Sequence, residues 1–286
     1  MSAPRDPVIA VSSWSLHRTI GLSWWETPAT AGVRKEAWGP GTTAILDIPA
    51  AVARHGIHNL QLCHFHVADR GRSWLGEFRA ACREAGVTLT MLLIDDADIS
   101  DAVNHKRDVA WINRWIDVAA EIGALSARVV AGKQKPTPAT LALSVAGLKE
   151  AVRHGESLKV RIVTENWHDL LSGPREVSHV LDAVPGLGLL ADFGNWKGDW
   201  KYDALAQIMP RAEDTHAKCG FGGPVAAPGS LDADDYGLCV AIADDAGYDG
   251  PYTLIYDGPD ADEWAGIAAE ADFVRSVLAG RSRRIA

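Results

Sequence analysis

Cysteine is scarce and unpatterned in this chain. Four occur in 286 residues, Cys63, Cys82, Cys219 and Cys239, and none has C-x-x-C spacing. That excludes a thiolate zinc site or a disulfide framework as the organising feature and fits a reducing cytoplasm. Positive charge is also short: 28 Lys and Arg face 37 Asp and Glu, a formal net charge of -9. Partners bound by phosphate neutralisation need clustered cations, so no nucleic-acid partner is expected. No run is long enough to span a bilayer, and the opening MSAPRDPVIAVSS lacks the basic segment and apolar stretch of a signal peptide. No membrane association and a cytoplasmic location are expected. There is no Pro, Gly or Ser-rich linker and no repeat beyond a strand-helix unit, so residues 1–286 are expected to form a single domain. No Gly-rich phosphate cradle of known spacing occurs either, which favours a non-phosphorylated ligand.

What is present is ordinary globular material, 47% hydrophobic and 23% charged, arranged in alternation. Short apolar, β-branched runs (VIAVSS, NLQLCHF, TLTMLLI, ARVVA, VRIVTE, GLLAD, DTHAK, YTLIYD) are separated by longer segments of helical period such as LDIPAAVARHG, WLGEFRAACREAG, HKRDVAWINRWIDVAAEIG and TLALSVAGLKEAVRHG. Several of these end in Gly, the residue suited to a left-handed helix cap. Eight strands alternating with helices predict an α/β chain folded as a (β/α)8 TIM barrel. Two segments break the alternation: residues 17–43, with Trp24, Trp25 and Trp38, and CGFGGPVAAPGSLDADD after the seventh strand. Both are expected to be loops over the barrel mouth, where such folds build their sites. Eleven tryptophans are many for this length, and those outside the helical segments suit a binding surface.

Three successive strands end in residues that bind hard cations. Period two in VRIVTE places Glu165 at a strand end on one fixed face; GLLAD ends in Asp192; DTHAK puts Asp214, His216 and Lys218 on one face. Taken singly, the acids read equally well as a solvated loop residue and a helix cap. A polar stripe on a strand that must be buried needs a partner, because unpaired buried charge is costly. Glu165, Asp192 and His216 together suit a divalent metal, Mn, Mg, Co or Zn.

The order of VTENW, ADFGNW and THAK, with CHFH after the second strand and IYDGP after the eighth, resembles the xylose-isomerase-like barrel superfamily of sugar-phosphate isomerases and epimerases, from Val8 to about Leu278. The resemblance implies one metal held by Glu, Asp, His and a second Glu, of which Glu165, Asp192 and His216 carry over. The fourth falls on Ile255, with Asp257 two residues later, so two-base epimerisation is in doubt and one-base isomerisation or elimination needs less. Candidates for the partner acid or base are Lys218, His66, His168 and Asp257. Lys218 reads alternatively as half of a structural ion pair, and His66, on one face with His64, as a hydrogen-bonded filler. Trp14, His17, His168, Asn195 and Arg128 are candidates for binding substrate. Asp95 and Asp96 read as caps of the next helix or as contacts to sugar hydroxyls; Lys133 lies nearby.

The implied activity is a metal-dependent isomerase or epimerase acting on a keto-sugar, polyol or related carbohydrate by proton abstraction alpha to a carbonyl. A lyase on the same scaffold, an inosose-type dehydratase or 3-keto-glycoside β-eliminase, is the runner-up. An apurinic-site endonuclease and a non-catalytic sugar-binding barrel stand behind them. The partner is a small carbohydrate, and self-association into a homo-oligomer is left open.

Overall fold

The alternation of apolar runs and amphipathic segments produces a ring of strands jacketed by helices. The structure is a computed structural model and describes residues 6–285. Its strands are β1 Ile9–Ser12, β2 Leu22–Trp25, β3 Arg34–Ala37, β4 Asn59–Cys63, β5 Thr88–Ile94, β6 Ser126–Val129, β7 Arg161–Glu165, β8 Gly188–Asp192, β9 Ala212–Ala217 and β10 Tyr252–Leu254. The helices are α1 His17–Ile20, α2 Ile48–Arg54, α3 Arg72–Ala85, α4 His105–Ile122, α5 Pro138–Leu158, α6 Pro174–Ala183, α7 Trp200–Ile208, α8 Ala233–Asp245 and α9 Glu263–Ile285. Eight of the strands close into a parallel barrel in the cyclic order β1-β10-β9-β8-β7-β6-β5-β4. The expected fold class is therefore the observed one. Among the described residues no helix is long and apolar enough to cross a membrane.

Period two divides each strand between two cores. Outward residues such as Leu60, Leu62, Leu92, Ala127, Ile162, Leu189 and Leu254 join the large cluster under the helices. Inward residues Cys63, Met91, Leu93, Val163 and Leu190 form a smaller lumen cluster with Phe65, against which Trp14 and Trp25 pack. Helix α3 shows why its segment folds onto the ring: Leu75, Phe78 and Cys82 recur at helical spacing and are its buried face, and Gly86 closes it at φ 65°. Helix α5 differs from its expected limit at Gly155. It runs three residues further, to Leu158, and Lys159 takes the left-handed cap itself. Gly155 serves packing, since a Cβ there would lie 2.6 Å from the Val160 carbonyl oxygen.

The long segment 17–43 is not an unstructured loop. It contains α1 and an antiparallel hairpin of β2 and β3, paired from Leu22 with Ala37 to Trp25 with Arg34. The hairpin returns on itself at a glycine neck: Gly21 has φ 78°, and a Cβ on it would meet the Gly41 backbone at 2.5 Å. The tip is latched to the barrel by Glu26, whose carboxylate accepts from Trp111 Nε1 at 3.1 Å and pairs with Arg70 at 2.8 Å. The segment after β9 is mainly irregular, crossed by one antiparallel bridge from Phe221 to Leu231.

Candidate metal centre and active-site cavity

Strands β7, β8 and β9 are neighbours, so the residues at their carboxyl ends must meet. Glu165, Asp192 and His216 are all buried, and one ligand atom from each lies within 4.8 Å of the others. His216 Nδ1 is 3.5 Å from Glu165 Oε1 and 3.6 Å from Asp192 Oδ2. Ligand atoms around a cation with bonds near 2.1 Å stand on the order of 3–3.5 Å apart, so the three groups fit a divalent metal without rearranging the strands.

A line of polar side chains through the lumen sets the imidazole. Thr253 Oγ1 donates to Asp214 at 2.8 Å and so must accept from Gln61 Nε2, 2.9 Å away. This turns the Gln61 carbonyl oxygen to His216 Nε2 at 3.0 Å. Nε2 therefore carries the hydrogen, which leaves the Nδ1 lone pair free for a cation shared with the carboxylates, as in a ligating histidine whose second nitrogen is held. Burial pushes the Asp214 carboxyl up to about 7. Burial also disfavours an imidazolium at His216, yet Glu165 and Asp192 outweigh it and push that group up to about 9. The space between the three groups thus favours positive charge.

The carboxylates are oriented as well. Asp192 Oδ1 accepts from the backbone N–H of Gly194 at 2.6 Å and of Asn195 at 2.7 Å. The Asn195 side chain donates to Glu165 Oε1 at 2.7 Å. Glu165 Oε2 is buried without a hydrogen-bond partner, 3.2 Å from Arg128 Nε. Arg128 is 2% exposed, pairs with Asp95 through Nη2, and keeps Nη1 unpartnered. Its guanidinium lies 4.9 Å from the Trp167 ring. Asp95 is held at about 2: burial opposes ionisation, but Arg128 and His64 overcome it.

These groups open on a cavity of about 290 Å3 lined by Trp14, Arg128, Glu165, Asp192, Asn195, His216, Lys218 and Ile255 among others, at the small end of ligand sites. Lys218 Nζ is paired with Asp257, which also accepts from Trp14 Nε1. Asp257 is thus engaged away from the Glu165, Asp192 and His216 group, and Ile255 forms cavity wall in its place. The other candidate histidines, His17, His64, His66 and His168, fall outside that lining. Strand β4 ends at Cys63, and His64–His66 form a 3-10 turn, so His64 and His66 do not share a strand face. His64 turns toward Asp95, His66 bonds Ser13 Oγ at 2.8 Å, and Phe65 takes the lumen position. His17 meets Trp38 edge-on, 4.6 Å away, and its Nδ1 lies 2.6 Å from the Trp14 carbonyl oxygen. His168 stacks on Trp167 at 4.1 Å with φ 58° and ψ 178°, a backbone region costly for any residue but glycine. Asp95 and Asp96 do not cap the next helix, which starts ten residues later with Asn104 before it; they pair with Arg128 and Lys133.

Sequence reasoning missed Gln61, Phe65, Leu93 and Trp167. Gln61 carried the same signal as the β9 stripe, a polar residue inside an apolar strand. The other three were hidden by their ordinariness as core residues.

A closed (β/α)8 barrel with acid and imidazole ligands at consecutive strand ends defines a class, the barrels able to hold a metal at the mouth. Residues 49–277 match the family described as the xylose isomerase-like TIM barrel, and the chain belongs to it. Among solved structures it is similar to an L-ribulose 3-epimerase (14% identity, 98% of this chain and 97% of the other, TM-score 0.72). It is similar also to a xylose isomerase domain protein from Planctomyces limnophilus (18%, 97% and 100%, TM-score 0.67). A third is a xylose isomerase-like TIM barrel protein from Mycobacterium smegmatis in complex with magnesium (17%, 97% and 100%, TM-score 0.66). At these identities the likeness is one of fold. No curated protein matches the sequence.

Proposed function

We propose that the protein is a metal-dependent isomerase or epimerase acting on a keto-sugar, polyol or related carbohydrate by proton abstraction alpha to a carbonyl. The observation that carries this reading is the Glu165, Asp192 and His216 cluster, with one carboxylate oxygen of Glu165 fixed by Asn195 and the other facing Arg128 Nε at 3.2 Å without a hydrogen bond. Those three residues would hold a divalent cation, Mn, Mg, Co or Zn, which would supply Lewis acidity toward a carbonyl oxygen. Glu165 is the base. Lys218, kept charged by Asp257, is the group suited to give a hydrogen bond or proton to the developing oxyanion. Asn195, Arg128 and Trp14 contact substrate, while His66, His17 and His168 support the cavity walls from behind.

The sugar epimerase among the similar folds supports a carbohydrate substrate. Metal analysis of purified protein, with deuterium exchange alpha to the carbonyl across a ketose panel, tests the reading; absence of both rejects it. The apolar Ile255 on the cavity wall supports a second reading. With no opposing carboxylate from β10, abstraction by Glu165 followed by departure of a β substituent needs only Lys218 as acid. Release of water or an alcohol, in place of a stereochemical change, distinguishes that lyase.

A further inference from the structure

The cavity has two unlike walls, and their difference specifies the ligand. In the closed ring β4 is four strands from β8 in either direction, so Cys63 and Phe65 stand across the mouth from Asp192. Around them the wall is mainly apolar, formed by Phe65 and Leu93, then Trp25 from the hairpin and Ile255 after β10, with Ser12 and the Arg128-paired Asp95 as its polar members. Trp25 stacks on Phe65, ring centroids 4.0 Å apart and 20° from parallel, and Trp14 meets Phe65 edge-on at 6.0 Å. The shelf is built rather than incidental, because the Glu26 latch to Trp111 and Arg70 fixes the residue next to Trp25.

A free hexulose carries a hydroxyl on nearly every carbon. Its C–H face needs one aromatic ring, but hydroxyls pressed on Leu93, Phe65 and Ile255 would lose water with no partner in return. Trp14 Nε1 is already given to Asp257, and Trp25 Nε1 is the one unpartnered donor on this shelf among the described residues. Charge on the other wall is also committed. Arg128 pairs with both Asp95 and Glu165, and Lys218 with Asp257, while Glu165 and Asp192 together with His216 match a divalent cation. Among the described residues of this lining, Arg128 and Lys218 are thus both already paired with carboxylates, which disfavours a phosphate or carboxylate on the ligand.

Building on the isomerase reading above, we infer that the substrate is an uncharged sugar carrying an apolar substituent, an aryl or alkyl group that sits on the Trp25–Phe65 shelf while the sugar faces Glu165, Asp192 and His216. Calorimetric titration in manganese-containing buffer tests this with phenyl and methyl glycosides of the same hexose, in gluco and galacto series, and glucose 6-phosphate. The phenyl glycoside of at least one series binds about tenfold more tightly than its methyl partner, and the 6-phosphate binds more weakly than the phenyl glycoside. In Trp25→Ala the phenyl-to-methyl ratio falls toward one. Equal affinity of phenyl and methyl glycosides in both series, no binding of either, or preference for the phosphate overturns the inference without any variant being made. Deuterium exchange separates it from the reading it rests on. A phenyl preference without exchange on any ketose keeps the shelf and removes the isomerase, and exchange on free ketoses without a phenyl preference does the reverse.

Discussion

The two sides of the barrel mouth are made from the same strand-helix unit, yet they are chemically opposite. Strands β6 to β9 deliver Arg128, Glu165, Asp192, His216 and Lys218 in succession. Strands β4 and β5, with the hairpin, deliver Cys63, Phe65, Leu93 and Trp25, and the one charge on this side, Asp95 beyond β5, is paired to Arg128. One side stores buried charge whose cost is met by ion pairs and aimed hydrogen bonds. The other side continues the lumen core to the surface. A barrel can therefore localise its chemistry on a few consecutive strands and use the remaining ones as a wall whose shape selects the ligand.

Substitutions on the two sides should separate activity from stability. Glu165→Gln keeps the shape and the hydrogen bond from Asn195 but removes the base, so exchange alpha to the carbonyl should slow about 10^2 to 10^4-fold; a rate within tenfold of wild type would remove Glu165 from that role. Phe65→Ala, across the mouth and 1% exposed, should cost about 3–5 kcal/mol in urea unfolding with metal affinity retained. Loss of metal with unchanged stability would break the division between the walls.

Gln61→Leu probes what joins the sides, since Gln61 lies on β4 and holds a histidine of β9. Metal affinity should weaken about 10 to 100-fold, read by titration against a chelator. The smallest effect concerns His66. Burial, reinforced by His17, pulls it from 6.5 to about 3. The unfolded chain therefore takes up a proton between these values that the folded chain refuses. Stability is complete above pH 6.5 and falls as pH drops toward 3, by up to about 1.4 kcal/mol per pH unit from this group. Urea midpoints of His66→Gln between pH 7 and 5 should show a shallower decline than wild type; an equal decline contradicts the assignment.

The division also explains which features were legible in the sequence. Strands such as VRIVTE and helices such as WLGEFRAACREAG announce themselves because burial imposes period two or 3.6 on every residue. Glu165, Asp192 and His216 were legible because a polar group ending an apolar strand conflicts with its neighbours. Phe65, Leu93 and Trp167 involve no such conflict: an apolar residue facing a ligand looks like one facing the core. The 3-10 turn at His64–His66 was hidden for another reason. Nothing in CHFH opposes extended backbone, and the turn follows from Ser13 and Asp95 reaching the two imidazoles from opposite sides. The β2–β3 hairpin is polar on its exposed strand, RKEA, which reads as loop until its pairing with LSWW is known.

Convergence of Glu165, Asp192 and His216 on one divalent cation is tested most directly by counting bound manganese after gel filtration, in the wild type and in Asp192→Asn and His216→Ala. The account predicts close to one equivalent in the wild type and a large loss in both variants with the barrel still folded by circular dichroism. A wild type that retains no manganese, or variants that retain as much as it does, would contradict it.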